Sequence, residues 1–123
     1  MGLKHPTTKS VLYAGEGLRA ALKQEPNFRL HIATAIIVLL LAIILGFNAF
    51  EWLLLLFAIT FVIILELINT AIESLVDIVS PEIKDKAKIA KDVSAASVFI
   101  AASVSVLVGI ILFVPKILVL LGY

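Results

Sequence analysis

The hydrophobic positions along this chain fall into three long runs separated by short polar stretches. Residues 30–47 are interrupted only by His31 and Thr34, residues 53–65 only by Thr60, and residues 93–114 carry no charge. A helix of about 20 apolar residues is long enough to cross a hydrocarbon core about 30 Å thick. The pattern therefore predicts an all-α membrane protein with three transmembrane helices. Their predicted bounds are about 30–47, 52–79 and 93–114.

The second predicted helix continues beyond its apolar part. Nothing in residues 66–79 breaks a helix, so it is expected to reach Ser80 and Pro81 and to project its last turns out of the lipid. The segment SPEIKDKAKIAKD, residues 80–92, is expected to form a lysine-rich loop before the third helix. Pro115 is expected to end that helix, because proline lacks the N–H that a helix needs.

A shorter amphipathic pattern comes before the first long run. In residues 10–25 apolar side chains recur at helical spacing with charged side chains between them, which is typical of a helix lying on a membrane surface. Pro26 is expected to end this surface helix. An anchor with no chemistry explains it equally well. Residues 1–9 are polar and carry no signal-peptide pattern, so we expect the chain to start as mature sequence.

Composition supports the membrane assignment and excludes several kinds of site. Of the 123 residues 62% are hydrophobic and only 15% are charged, and the mean hydropathy is +1.15. A water-soluble domain of this length needs a polar surface that these residues cannot supply. The absence of cysteine excludes disulfides and thiolate metal sites. There is no G-x-x-x-x-G-K-[ST] phosphate loop, and no nucleic-acid partner is expected.

The basic residues indicate how the chain is oriented. Nine of the ten lysines and arginines fall on one side of the three-helix arrangement, and Lys116 alone falls on the other. Basic residues concentrate on the cytoplasmic side of membrane proteins. We therefore expect a multi-pass membrane protein with the amino terminus and residues 80–92 in the cytoplasm and the carboxyl terminus outside.

A stripe of polar side chains runs along one face of the second helix. At about 100° per residue, Glu66, Asn69, Glu73 and Asp77 share an arc of about 80° and span roughly 16 Å along the axis. Ionisable groups at membrane depth are costly and usually face a bundle interior, a cavity or a substrate path. Hydrogen bonding between helices is the structural alternative. Four such residues on one face favour a functional site.

Clustered carboxylates suit a divalent cation. Carboxylates repel one another without a cation among them, and Mg²⁺ commonly takes one or two carboxylates together with phosphate oxygens. Lys91 and Asp92, next along the chain, are expected at the mouth of the third helix, where Lys91 would neutralise phosphate charge. Asp92 would cap that helix or hold a metal or a lysine. A solvated loop attracted to anionic lipid remains the alternative for this charged segment.

The third helix is rich in small residues, which let helices approach closely. We expect this helix to provide a packing face and, because three helices hardly enclose a cavity alone, we expect an oligomer. The small residues are Ser94, Ala95, Ala96, Ser97, Ala101, Ala102, Ser103, Ser105 and Gly109.

Four sequence blocks resemble the small bacterial integral-membrane lipid kinases, the diacylglycerol kinase and undecaprenol kinase family. The blocks are GLRAA at 17–21, EPNFR at 25–29, ELINTAIE at 66–73 and AKDVSAA at 90–96. The resemblance covers nearly the whole chain. It implies a homotrimer of three-helix subunits, each with an amino-terminal surface helix. It also implies transfer of the γ-phosphate of MgATP to a membrane lipid alcohol at the cytoplasmic interface.

The resemblance also implies roles for single residues. Glu66 matches the family's catalytic base, and Asn69 matches a residue that supports it. Glu25 and Glu73 match the carboxylates that hold Mg²⁺. Arg19 and Glu66 are expected to contact the lipid substrate. The residues expected to contact ATP are Tyr13, Asp77, Glu82, Lys84, Lys91 and Asp92.

Two smaller details of the sequence bear on which lipid alcohol is the substrate. Leu30 and His31 after Arg29, and the Asn-Thr form of the central block, look more like undecaprenol-preferring members than like diacylglycerol kinases. The sequence therefore favours undecaprenol over diacylglycerol. A small ion-coupled transporter using Glu66 and a holin-like oligomer are the non-enzymatic alternatives. Neither of them needs Lys91.

Overall fold

The computed structural model describes residues 7–82 and 84–123, and this part of the chain folds as four α-helices. Three of them are long and apolar enough to cross a membrane, which confirms the prediction of an all-helical membrane protein with three candidate spans. The first six residues of the polar start lie outside the described residues. The helices are α1 (Thr7–Gln24), α2 (Pro26–Ile44), α3 (Ala49–Val79) and α4 (Asp85–Leu120).

A single residue separates α1 from α2. Glu25 has an extended backbone, and Pro26 begins α2 in the first turn, where a proline needs no N–H partner. The guanidinium of Arg29 donates to the carbonyl oxygens of Leu22 at 3.4 Å and Lys23 at 3.2 Å. Because these carbonyls lie in the last turn of α1 and lack helical partners, Arg29 caps α1 from α2.

A short turn and a capping box connect α2 to α3. Gly46 adopts a positive φ of 64°, which suits glycine. Asn48 Oδ1 accepts a hydrogen bond from the Glu51 N–H at 3.0 Å, and Glu51 Oε2 accepts one from the Asn48 N–H at 2.7 Å. Lys116 of α4 lies 3.0 Å from the same Glu51 oxygen and 5.4 Å from the centre of the Phe47 ring. These contacts tie the start of α3 to the end of α4.

Two sequence predictions about α4 are wrong. The lysine-rich loop was expected to reach residue 92, but α4 begins at Asp85, so Asp92 lies two turns inside the helix and does not cap it. Lysine and alanine are good helix formers, which accounts for the early start. Pro115 does not end α4, which continues to Leu120. A proline removes one backbone hydrogen bond, and transmembrane helices tolerate that loss where their surroundings compensate for it.

The closest packing joins α3 to α4. The buried residues of α3 recur at spacings of three and four, so they form one face, and Glu66 and Asn69 continue the face that Leu55, Ala58 and Val62 begin. From α4, Ser94, Val98 and Ala101 are buried. The polar stripe therefore begins on the packing surface itself.

An opening remains where the three long helices meet. It has a volume of about 550 Å³ and is lined almost wholly by apolar side chains from α2, α3 and α4. His31, Thr34 and Ser105 are the polar residues in its lining. The packing of α2 against the other two helices is thus incomplete within one chain.

Candidate active site

The polar stripe of α3 runs from the buried interior to the exposed end of the helix. Glu66 is 3% exposed and Asn69 is 9% exposed, whereas Glu73 is half-buried and the Asp77 side chain is 65% exposed. This gradient agrees with the spacing argument from the sequence. The stripe therefore offers a continuous polar path between a buried carboxylate and the end of α3.

A chain of hydrogen bonds fixes the middle of the stripe. The Ser94 hydroxyl of α4 donates to Asn69 Oδ1 at 2.6 Å, and Asn69 Nδ2 donates to Glu73 Oε1 at 3.1 Å. The Ser94 hydroxyl also lies 3.0 Å from the carbonyl oxygen of Lys91 in its own helix. Asn69 is thus held from two sides, and it links α4 to a predicted metal-binding carboxylate.

The Glu66 side chain is buried, but its carboxylate oxygens are not fully closed off from solvent. Glu25, Glu73 and His31 are the charged or titratable groups that act on it electrostatically. No described residue donates a hydrogen bond to its side-chain oxygens, although Thr70 donates to its backbone carbonyl at 3.0 Å. Every fully buried side-chain oxygen in the described chain has a partner, so the unpartnered oxygens of Glu66 must retain some access. They remain available to a ligand.

Glu25 and Glu73, the predicted metal ligands, come from different elements. Glu25 is half-buried in the link between α1 and α2, and Glu73 lies on α3. Within residues 7–82 and 84–123, no three side chains of the usual metal-binding types converge. Two carboxylates without a third protein ligand fit Mg²⁺, which commonly completes its coordination with phosphate oxygens and water.

A polar cavity of about 450 Å³ lies where α3 ends and α4 begins. Four of the six residues predicted to bind nucleotide line it: Asp77, Glu82, Lys91 and Asp92. Lys91 forms an ion pair with Asp77 across this cavity. The structure thus brings most of the predicted nucleotide contacts to one place, beside the exposed end of the stripe.

Three predicted site residues lie elsewhere. Lys84 is exposed at the N-cap of α4 and is not part of the cavity lining. Tyr13 and Arg19 lie on α1, which is exposed along almost its entire length. Arg19 makes no hydrogen bond or ion pair with another described residue. None of these three side chains lines the polar cavity of one chain.

The sequence reasoning gave Ser94 only a packing role, and it did not place Lys88 or His31 near the candidate site. Lys88, Lys91 and Ser94 recur every three residues, so a helical projection of α4 from Asp85 would have put them on one face. The projection was not made because residues 80–92 were taken for a loop, so Lys88 and Lys91 were not placed on the same helix as Ser94. Nothing in the sequence connected His31 with the stripe, and in the structure it lies near enough to Glu66 to act on it electrostatically.

Comparison with known proteins identifies the family. The sequence model of the prokaryotic diacylglycerol kinases matches residues 12–113, a range that includes α2, α3 and most of α1 and α4. The chain belongs to this family. The predicted resemblance is therefore confirmed over nearly its whole length.

Three lipid kinases are similar to the chain at 36–40% identity. The undecaprenol kinase of Bacillus subtilis is 36% identical over 108 residues, which cover 88% of each chain. The diacylglycerol kinase of Haemophilus influenzae is 38% identical over 110 residues, covering 89% of this chain and 90% of the relative. The diacylglycerol kinase of Synechocystis is 40% identical over 113 residues, covering 91% of this chain and 65% of the relative.

Family membership confirms the prediction of a lipid kinase. Nothing in these matches favours a transporter or a holin over a lipid kinase. The matched range contains all of the polar stripe, Glu25 and the residues that line the polar cavity. The prokaryotic diacylglycerol kinase family is thus matched in the part of the chain that carries the candidate site.

Proposed function

We propose that this chain transfers the γ-phosphate of ATP to a membrane lipid alcohol, with Glu66 as the general base. The observation that carries this proposal is Glu66, which is 3% exposed, accepts no side-chain hydrogen bond from the described residues and begins a polar path toward a lysine-lined cavity. A lipid hydroxyl stays near the membrane and a nucleotide stays in water. A stripe that joins the two environments lets the reactants meet.

The reaction needs few chemical groups from the protein. Phosphoryl transfer depends mostly on positioning and on charge stabilisation, so no phosphate loop is required. Glu66 would accept the hydroxyl proton while the lipid oxygen bonds to the γ-phosphorus and the bond from that phosphorus to the oxygen retained by ADP breaks. Asn69, one turn away, would orient the groups beside Glu66 through its amide.

Nucleotide binding is proposed at the polar cavity between α3 and α4. Lys91 supplies a positive charge for the phosphates, and Asp77 holds its ammonium group at the cavity wall until a phosphate competes for it. Asp92 and Glu82 lie in the same lining. Tyr13 and Lys84 stay as further predicted nucleotide contacts.

Magnesium is proposed as the metal, held by Glu25 and Glu73. Both side chains are hard oxygen ligands, and both lie close enough to Glu66 to act on its charge. A bound Mg²⁺ ion would neutralise phosphate charge as it develops. Glu73 is additionally oriented by the Asn69 amide at 3.1 Å.

The lipid proposed as substrate is undecaprenol, with diacylglycerol as the alternative. The motif details after Arg29 favour undecaprenol, and the Bacillus subtilis relative is named for that lipid. Identity does not separate the two, because diacylglycerol kinases match at similar levels. Arg19 is proposed to contact the lipid headgroup, together with Glu66.

The proposed assembly is a homotrimer in the bacterial inner membrane. The apolar opening of about 550 Å³ and the small-residue face of α4 both suggest that one chain does not bury all of its packing surface. Nine of ten basic residues on one side support a cytoplasmic amino terminus and an external carboxyl terminus. In this arrangement α1 lies on the cytoplasmic membrane surface.

Purified protein in mixed micelles tests the proposed function. Radiolabelled ATP would be supplied with undecaprenol, with diacylglycerol or with no lipid alcohol, and the labelled lipid would be separated and counted. We expect Mg²⁺-dependent labelling that requires a lipid alcohol and is faster with undecaprenol. ATP hydrolysis without labelling of either lipid would contradict the proposal. Faster labelling of diacylglycerol would overturn only the choice of lipid.

A further inference from the structure

The Ser94 hydroxyl is buried in the α3–α4 contact, only one hydrogen bond away from the polar stripe. Ser94 is 6% exposed, and its 2.6 Å hydrogen bond to Asn69 joins α4 to α3 through one side chain of each helix. We propose that Ser94 is a positioning residue for phosphoryl transfer. It fixes the amide of Asn69 and, through that amide, the carboxylate of Glu73.

The direction of this hydrogen-bond chain is set at Glu73. An ionised carboxylate only accepts hydrogen bonds, so Asn69 must turn its Nδ2 toward Glu73. The same amide then presents Oδ1 toward α4, and a donor is needed there. Ser94 is that donor. Without its hydroxyl the buried amide oxygen has no described partner, and nothing on α4 opposes rotation of the amide.

The Ser94 hydroxyl has a second possible acceptor besides Asn69, but Asn69 remains the better one. The Ser94 hydroxyl lies 3.0 Å from the carbonyl oxygen of Lys91, but it has a single hydrogen to donate. A helical carbonyl already accepts a backbone N–H four residues on, whereas Asn69 Oδ1 has no other described donor. The shorter distance, 2.6 Å, is the one to Asn69.

Ser105 provides a matched comparison within the same pair of helices. Its hydroxyl also donates from α4 to α3, but to the backbone carbonyl of Ala58 at 3.3 Å. A carbonyl inside a helix cannot rotate, so Ser105 links the helices without orienting a side chain. Ser94 makes a comparable link to a rotatable amide that in turn contacts Glu73. A packing role is common to both serines, and a positioning role belongs to Ser94 alone.

The inference rests on the proposed metal role of Glu73, so its test measures binding as well as turnover. Ser94→Ala and Ser105→Ala would be compared for Mg²⁺-dependent binding of the non-hydrolysed nucleotide ADP by calorimetry, for Mg²⁺-dependent lipid labelling and for thermal unfolding. Residues that orient metal ligands typically change affinity by about 10-fold to 100-fold. We expect Ser94→Ala to raise the half-saturating Mg²⁺ concentration about 10-fold and Ser105→Ala to leave it unchanged. Ser94→Thr retains the hydroxyl and should restore most of the affinity.

A double-mutant comparison separates orientation from packing. If Ser94 acts through Asn69, adding Ser94→Ala to Asn69→Ala should leave Mg²⁺-dependent binding as it is in Asn69→Ala alone. Additive losses, or an equal loss in Ser105→Ala, would overturn the proposal.

Ser94→Cys, which keeps a weak thiol donor, replaces Ser94→Ala if the alanine variant does not fold. Unchanged Mg²⁺ dependence in Ser94→Cys would count equally against the proposal. Wild-type protein that binds MgADP but labels no lipid would contradict the proposed function, while the binding data would still decide the role of Ser94.

Discussion

Lys91 pairs with Asp77 across the cavity between α3 and α4. Their side chains are 36% and 65% exposed, so the pair is in contact with solvent and its attraction is screened. A weak pair holds the ammonium group in place and still releases it to a stronger partner. A nucleotide phosphate, with charge-assisted hydrogen bonds, is such a partner.

The first prediction follows from this pair. Lys91→Met removes the positive charge and should raise the KM for MgATP about 10-fold to 100-fold, while Asp77→Asn should raise it less than about fivefold because the lysine remains. Steady-state kinetics at saturating lipid would measure both. Lys86→Met is the matched control, since Lys86 is exposed on the same helix outside the cavity lining. Equal effects at Lys86 and Lys91 would mean that only general electrostatic attraction is involved.

The second prediction concerns the metal. Replacing Glu73 or Glu25 with Gln removes a hard anionic ligand and should raise the half-saturating Mg²⁺ concentration by about tenfold or more. Titrations of lipid labelling against free Mg²⁺ at fixed ATP would show the shift. Glu16→Gln, on the exposed face of α1, removes the same charge and should have no such effect. Unchanged Mg²⁺ dependence in both variants would exclude Glu25 and Glu73 as metal ligands.

The third prediction separates stability from activity. Asn48→Ala breaks the capping box that begins α3, and loss of an N-cap typically costs about 0.5–2 kcal/mol of stability. The box lies at the opposite end of α3 from Asp77, so the KM for MgATP should not change. Unfolding in mixed micelles and kinetics on the same preparation would test both parts. A changed KM would show that the two ends of α3 are coupled.

The fourth prediction concerns assembly. Chemical crosslinking in mild detergent should produce species up to three subunits and none larger. The incomplete packing around the apolar opening and the small residues of α4 are the reasons for this expectation. A fully active monomer, separated by size and assayed at once, would contradict it.

The polar stripe was predictable because it lies within one helix. The angle between Glu66, Asn69 and Glu73 depends only on the helical repeat, and the structure places all three on one face with the expected gradient of burial. The sequence signal for this face was unusually strong, since carboxylates rarely interrupt an apolar run.

The contacts across helices were not predictable in the same way. Which face of α4 meets α3 depends on packing, so the bond from Ser94 to Asn69 could not be derived from spacing within either helix. Two errors of local structure added to this. The start of α4 at Asp85 was hidden by a charged segment that reads as a loop, and the effect of Pro115 was overestimated because a transmembrane helix tolerates one missing hydrogen bond.

The turnover of Glu66→Gln is the most direct test of the central claim. Glutamine retains the shape and polarity of the side chain but cannot accept the hydroxyl proton. We predict a fall in lipid phosphorylation of roughly 10² to 10⁴ fold, the range for losing a positioned general base, with MgATP affinity and subunit assembly unchanged in the same preparation. Near-normal turnover, or loss of folding or assembly, would contradict the account and leave Glu66 with a structural role.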